Sequence, residues 1–392
     1  MKRVVVHIES ANEVFAAIKT EWRELFAAAR CSVFLSWEWM SVWFESFGDN
    51  RTPFILKACR DGKLIGILPM YLEKRRILGM RFNRLSLMGE GPGGADYLDL
   101  IAKPDDRDEA LSAIFDFLQR ERKFDIICLG NLAADSGTVR FLKNLSRTKS
   151  SPLTHFNETV TAVCPHIDLT GGWDAVLAQS KRSSNFSRKL KKLERMNGFE
   201  YRSITSADET GEAFERFLRL HEKRWLKEGG SELSGHPRLI SFQRRLVEQV
   251  SRAGLIRFDE LWVDGECRSS VYGLDDGQTF YYYNSGFDPE YSHLSVGLVL
   301  LGLSVQNAIG RGNSIYDFLR GDEAYKFDWA NRRTNLVTIS LHRNTFPVIA
   351  SEGIGRAWLS LRNISKFALP AGIAEMLKGW WRARKRIYQL SD

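Results

Sequence analysis

The 392-residue sequence predicts an α/β protein in which mixed sheets carry flanking helices and the chain is organised as two similar halves. Three patterns support this. Residues 279–284 read as a strand, 295–310 as a long apolar helix and 314–319 as a second strand, a spacing that joins neighbouring strands through a crossover helix. A second crossover is predicted from a strand at 97–101, a helix at 105–122 and a strand at 125–129. An Asp-Gly hairpin precedes each unit, Asp61-Gly62 in one case and Asp264-Gly265 in the other. The repetition is one of pattern, not identity, and divides the chain into residues 1–160, residues 161–345 and a helical extension at 346–392.

Taken in order, residues 4–8 form a strand and 12–30 a helix whose apolar face is Val14, Phe15, Ile18, Trp22, Leu25 and Phe26. The stretch FLSWEWMSVWFESFG is a helix capped by Ser36 and stopped at Gly48, its aromatic density read as core packing. Strands at 53–59 and 63–71 flank the first hairpin, and short strands at 85–88 and 97–101 flank GEGPGGAD. Gly89, Gly91 and Gly94 satisfy GxGxxG, but a strand follows where a dinucleotide fingerprint requires a helix. The stretch is therefore a turn-rich loop facing a cleft. Helices are expected at 138–146, 173–179, 187–196, 212–227 and 237–253, and strands at 160–168, 255–263, 267–274 and 336–342. The boundary between halves falls in strand 160–168. Helices at 358–369 and 373–389 are split by Pro370.

Composition narrows the function. The net charge of +8 favours an anionic partner, whether a phosphorylated ligand, nucleic acid or acidic lipid. The five cysteines are scattered, which excludes CxxC redox and metal-knuckle chemistry and fits a reducing cytoplasm. His221-Glu222 is not a zinc motif, because Trp225 stands where the second histidine belongs; no catalytic metal is expected. The start of the chain reads as a strand rather than a signal peptide, and the most apolar run, 294–305, is too short to cross a bilayer. A cytoplasmic protein, at most peripheral to a membrane, is expected. Residues 181–195 hold seven Lys/Arg against the single acid Glu194: a solvated helix face or a landing surface for an anionic substrate or RNA. The end, LKGWWRARKRIYQL, reads as a segment docked on the fold or one touching an anionic membrane.

The chemistry is expected around the 279–329 stretch. Ser295 occupies an N-cap position with Gly297 just inside, so backbone N–H groups and the helix dipole face the strand ends, a place suited to phosphate. Period two puts Ile315, Asp317 and Leu319 on one strand face. A carboxyl between aliphatics requires a salt bridge or hydrogen bond, or has a raised pKa suited to a general base. After the turn at Arg320-Gly321 come Asp322, Glu323, Tyr325 and Lys326. A Tyr there can protonate a leaving thiolate, and a Lys can stabilise the oxyanion of a tetrahedral intermediate. No Ser–His–Asp or Cys–His constellation is visible, which favours direct transfer over a covalent enzyme intermediate.

SGFDPEYSHLSVGLVLL and YDFLRGDEAYKFDW, with FLSWEWMSVWFESFG and CPHIDLTGGWDAVLAQSKRSSNFSRKLKKL, resemble the CelD/BcsL-like acyltransferases of the GNAT superfamily, over most of residues 30–345. The resemblance implies two tandem GNAT-like domains related to the FemAB transferases, the first non-catalytic and shaping the cleft. It implies acetyl-CoA or another acyl-CoA as co-substrate, its pyrophosphate held by Ser295, Val296 and Gly297 beside His293. It makes Tyr325 the general acid, Lys326 the carbonyl-polarising group, and Asp317 or Asp322 the base or substrate anchor. Trp225, Tyr283, Arg188 and Arg320 complete the expected site on the acceptor side. SHLSVGL departs from the usual GNAT Q/RxxGxG/A loop. By resemblance the acceptor is an amino sugar or sugar-nucleotide of exopolysaccharide or cellulose production. The alternatives are a FemAB-like transferase using aminoacyl-tRNA and a non-enzymatic protein binding a nucleotide-sugar or a membrane partner.

Overall fold

In the computed structural model, residues 4–10, 13–77, 80–147, 155–226, 233 and 235–342 are described; the predicted helices at 358–369 and 373–389 lie outside them. Val4–Glu9 (β1) is followed by helices Val14–Ala17 (α1), Lys19–Ala29 (α2) and Trp37–Phe47 (α3). Strands Arg51–Pro53 (β2), Ile55–Arg60 (β3), Lys63–Leu68 (β4), Met70–Ile77 (β5), Met80–Leu87 (β6) and Ile101–Ala102 (β7) come next. Helix Arg107–Arg120 (α4), strand Ile126–Ala133 (β8) and helix Gly137–Arg147 (α5) lead to the long strand His155–Asp168 (β9). Helices Gly172–Gln179 (α6) and Ser183–Leu193 (α7), strand Glu200–Ile204 (β10), and helices Ala207–Leu226 (α8) and Pro237–Arg252 (α9) precede the second hairpin. That hairpin is Ile256–Val263 (β11) and Glu266–Asp275 (β12); Thr279–Phe287 (β13), Val296–Gly310 (α10), Ile315–Asp317 (β14), Ala324–Phe327 (α11) and Arg332–His342 (β15) close the described chain.

The fold class is the expected one, α/β with mixed sheets and flanking helices in two similar halves. Each half holds one parallel strand pair joined through a helix: β6 with β8 across α4, and β13 with β14 across α10. Both hairpins turn at Asp-Gly with positive φ at each residue (51° and 79°, then 54° and 75°), the geometry whose twist matches that of paired strands. Ser36 caps α3 by accepting from the Trp39 amide at 3.2 Å.

Several expectations are corrected. The strand at 97–101 shrinks to β7, because Tyr97 takes a φ of 55° and its loop turns toward the second half; the first crossover starts from β6 instead. The helix at 12–30 breaks at Ile18, and β5 and β10, both rich in charge, were not foreseen. Strand β9 is longer than the expected 160–168, starting at His155. It pairs with β14 on one side and β15 on the other, and β15 pairs with β8, so one sheet in the order β10-β11-β12-β13-β14-β9-β15-β8-β6-β5-β2 crosses both halves. A smaller sheet, β1-β3-β4-β7, belongs to the first half.

Two apolar cores follow from this sheet. One is shared: α3 of the first half meets α9 and β13 of the second, with Trp39 edge-on to Phe242 (centroids 5.7 Å) and to Tyr283 (5.7 Å). The other lies on the opposite face of β13 and β14, under α6, α7 and α10. Alternation along β13 sends Phe280 and Tyr282 to the α10 side and Tyr281 and Tyr283 to the seam between halves.

Candidate active site

At the start of α10 the chain makes a short 3-10 turn, Pro289–Leu294, in which the Asp288 carboxylate accepts from the Glu290 amide at 3.2 Å. Ser295 then takes a left-handed conformation (φ 60°, ψ 41°) and makes no side-chain cap. The expected N-cap position is right, but its hydroxyl does not cap, because the reversed backbone turns the side chain away from the helix amides. The first helical bond is Val299 N–H to the Ser295 carbonyl, 3.1 Å. The opening amides of α10 thus keep the donor capacity any helix start has, unclaimed by the cap. Val296 is buried and Gly297 half-buried, its Cα side facing the Phe287 ring.

A run of contacts leads from there to Tyr325. The Arg224 guanidinium lies 5.2 Å over the Phe287 ring and donates to Ser285 Oγ at 3.3 Å. Tyr282, on the same face, has Ser285 and Tyr325 as the neighbours that act on its phenol. Burial, then the neighbouring Tyr282 and Glu323, push the Tyr325 phenol well above its ordinary value, so it is a fully protonated donor at neutral pH.

The other side of β14 faces the seam. Tyr316 points to α10, with its hydroxyl 2.9 Å from Ser304 Oγ, and Asp317 points the opposite way. Asp317 is 5 % exposed; its Oδ2 accepts from the Tyr97 hydroxyl at 2.6 Å and its Oδ1 from the Leu319 amide at 2.7 Å. Burial raises its carboxyl to about 7; the Tyr97 and Leu319 donors oppose that rise, nearby Asp96 adds to it, and Lys326 opposes it. The chain then turns through Leu319 (φ 57°) and Gly321 (φ 139°). A side chain at Gly321 would be strained at that φ and its Cβ would crowd Glu323 Oε2 and Lys326 Nζ, so glycine suits the turn under which the ammonium folds back. Lys326 is 4 % exposed, and its Nζ donates to the Arg320 carbonyl at 2.8 Å and pairs with Glu323 at 2.9 Å.

The remaining expected residues are more dispersed. Arg320 is gripped by Asp96 of the first half: its amide reaches Oδ2 at 2.9 Å, its Nε reaches Oδ1 at 2.5 Å, and Nη2 donates to the Ala95 carbonyl at 2.9 Å. Tyr283 lies in the seam, donating to the Gly93 carbonyl and accepting from Gln243 at 2.6 Å. Trp225 is half-buried beside His221 (6.2 Å). Asp322 is exposed in the turn. His293 is exposed, its ring 3.0 Å from the Glu290 carbonyl, while its own carbonyl accepts from Lys189 of α7 at 2.8 Å. Arg188, the residue before Lys189, is exposed and donates to Asn185. Sequence reasoning missed Asp96, Tyr97, Tyr282, Ser285 and Arg224. Its one signal for the first two was that the GEGPGGAD loop faces a cleft, and that loop does close on the second half. A hollow of about 210 Å³ is lined by Cys31, Ser32, Tyr97, Asp99 and Arg107, so it adjoins the residue that donates to Asp317. Among the described residues no group of three or more His, Cys, Asp or Glu side chains is placed to hold a metal ion. No described helix is long and apolar enough to cross a membrane.

The site thus brings together a helix start beside a strand end, a protonated phenol on one side of β14, and the buried Asp317 carboxyl and Lys326 ammonium on the other. Residues 180–327 match the acetyltransferase (GNAT) domain family, a match that supports an N-acyltransferase. Among solved structures it is similar to FemX, at 12% identity over 86% of this chain and 96% of that one (TM-score 0.59). It is also similar to a conserved protein of unknown function from Bacteroides thetaiotaomicron VPI-5482, at 11% identity over 86% of this chain and 100% of that one (TM-score 0.55). At these identities the likeness concerns the fold. No curated protein matches the chain significantly.

Proposed function

We propose that the chain transfers an acyl group, acetyl in the simplest case, from acyl-CoA to the amine of an amino sugar or sugar-nucleotide. The backbone amides of Ser295, Val296 and Gly297 would hold the coenzyme pyrophosphate, with His293 at the rim. Asp317 takes the proton from the attacking amine, whose nitrogen bonds to the thioester carbonyl carbon. Lys326 stabilises the oxyanion, the carbon–sulfur bond breaks, and Tyr325 gives its proton to the leaving thiolate. The acceptor would sit in the seam near Tyr97, the side to which Asp317 points, and would meet the thioester where the pairing of β13 with β14 ends at Tyr281 and Asp317. The observation that carries this reading is Asp317: a buried carboxyl at a strand end with a proton affinity near neutrality, held at one edge of the seam close to Lys326. The resemblance to CelD/BcsL-like sequences supports a role in exopolysaccharide or cellulose production. Calorimetry with acetyl-CoA, followed by thiol release in the presence of an amino-sugar panel, tests the reading. Absence of binding at millimolar acetyl-CoA would overturn it.

A second reading, transfer of an aminoacyl group from tRNA, is favoured by one feature. The outer face of α7 and its flanks exposes Lys181, Arg188, Lys191, Lys192 and Arg195, and α7 touches the turn before α10 through Lys189. Binding of tRNA that weakens steeply with salt, with none to acetyl-CoA, would promote it.

A further inference from the structure

Two consecutive side chains of the first half end at the groups assigned to catalysis in the second. Tyr97 donates to Asp317 at 2.6 Å across 220 residues of sequence. Asp96 is 0 % exposed, and its carboxylate takes the Arg320 amide, Nε and Nη2, with Cys164 Sγ 3.8 Å away. The pair is buried only at its carboxylate, the Arg320 side chain being 40 % exposed, so it adds little net stability; but the amide, Nε and Nη2 held together by Asp96 and the Ala95 carbonyl tie this turn to the first half. The geometry fixed here is an unusual one. Arg320 stands between Leu319 and Gly321, both at positive φ, and its carbonyl is the acceptor that holds Lys326 Nζ at 2.8 Å. A backbone in such a conformation persists only where its surroundings over-determine it.

We propose that Asp96 and Tyr97 are positioning residues for the active site of the other half, Tyr97 by donating to Asp317 and Asp96 by fixing Arg320, whose carbonyl holds Lys326. The proposal rests on the reading of Asp317 and Lys326 as the acid–base and oxyanion groups. It gives the first half a role in catalysis beyond shaping a cleft. The charged and titratable groups facing Asp317 come from four places: Asp96, itself held by Arg320, and Tyr97 from the loop before β7, Cys164 from β9, Tyr281 from β13, and Lys326 from α11. Their signs separate positioning from mere interface packing. The Tyr97 donor favours ionised Asp317, so its removal raises that carboxyl; the Asp96 charge disfavours ionised Asp317, so its removal lowers it. Simple loosening would admit water and lower the carboxyl in both cases.

The test is an infrared titration of the full chain, with the Asp317 carboxyl band assigned by its loss in Asp317→Asn. Tyr97→Phe is expected to move the midpoint up, and Asp96→Asn to move it down, each by about one pH unit. A downward or absent shift in Tyr97→Phe overturns the proposal, and that variant alone decides it if Asp96→Asn does not fold. Acetyl-CoA calorimetry on the wild-type protein is the separate arm: its failure removes the acyl-transfer reading whatever the infrared shifts, and its success with an unmoved Tyr97→Phe midpoint removes only the positioning role.

Discussion

Asp317 carries the largest consequence of any single residue. Its carboxyl, ordinarily near 3.8, is raised to about 7 by burial. Between these values the unfolded chain loses the proton while the folded chain keeps it, so folding stability is full below about 3.8 and falls as pH rises through about 7. A rise of roughly three pH units corresponds to about 4 kcal/mol. Asp317→Asn removes this loss, so the variant should gain stability relative to wild type between pH 5 and pH 8, read from urea unfolding at the two values; equal differences would place the carboxyl near its ordinary value. The same change should slow acyl transfer by roughly 10²–10⁴-fold, the usual worth of a general base. Lys326→Ala should cost about 3 kcal/mol of transition-state stabilisation, seen in kcat with the KM for acetyl-CoA little changed. Asp317 was legible in the sequence because strand alternation put a carboxyl between aliphatics. Its partners were not, since Tyr97 lies 220 residues away and no local pattern encodes that approach.

Secondary-structure elements differ in how much of their geometry is local. The Asp-Gly hairpins, the Ser36 cap and the apolar helix α10 were readable because each depends on residues within one turn or one helix face. The break at Ile18, the charged strand β5 and the polar strand β10 were not, because tertiary pairing overrides weak strand patterns. Ser36 and Ser295 show the contrast. Both occupy N-cap positions, but only the Ser36 hydroxyl takes a helix amide. Ser36→Ala should therefore lower stability by about 1 kcal/mol. Ser295→Gly should be neutral or stabilising by up to about 1 kcal/mol, since glycine adopts the left-handed conformation without penalty and no cap is lost. Thermal melts check both, and acetyl-CoA affinity unchanged in Ser295→Gly would show that backbone amides, not the hydroxyl, hold the coenzyme. A destabilised Ser295→Gly would mean the hydroxyl has a partner in solution.

At the scale of the whole molecule, the halves share a sheet and a core. The aromatic helix α3 was legible as core packing, but not what it packs against, because its partner α9 lies about two hundred residues further along the chain. Phe242 of α9 sits 5.7 Å from Trp39 and 5.1 Å from Phe47, centroid to centroid, and its ring would lie 2.9 Å from a Cβ at Gly93 in the loop that carries Asp96 and Tyr97. Removing it leaves a cavity at the seam that neither half can fill by itself. Phe242→Ala should cost about 3–5 kcal/mol, as large-to-small changes at buried aromatics do. Because strands β9 and β15 carry the sheet from one half to the other, the described fold should unfold as one unit, with tryptophan fluorescence and backbone circular dichroism changing together in wild type and variant alike. Two separated transitions in the wild-type protein would mean that the halves fold independently. In that case the contacts of Asp96 and Tyr97 with Arg320 and Asp317 would be a docking that can open, and acyl transfer should fail at the first transition, before the second half unfolds.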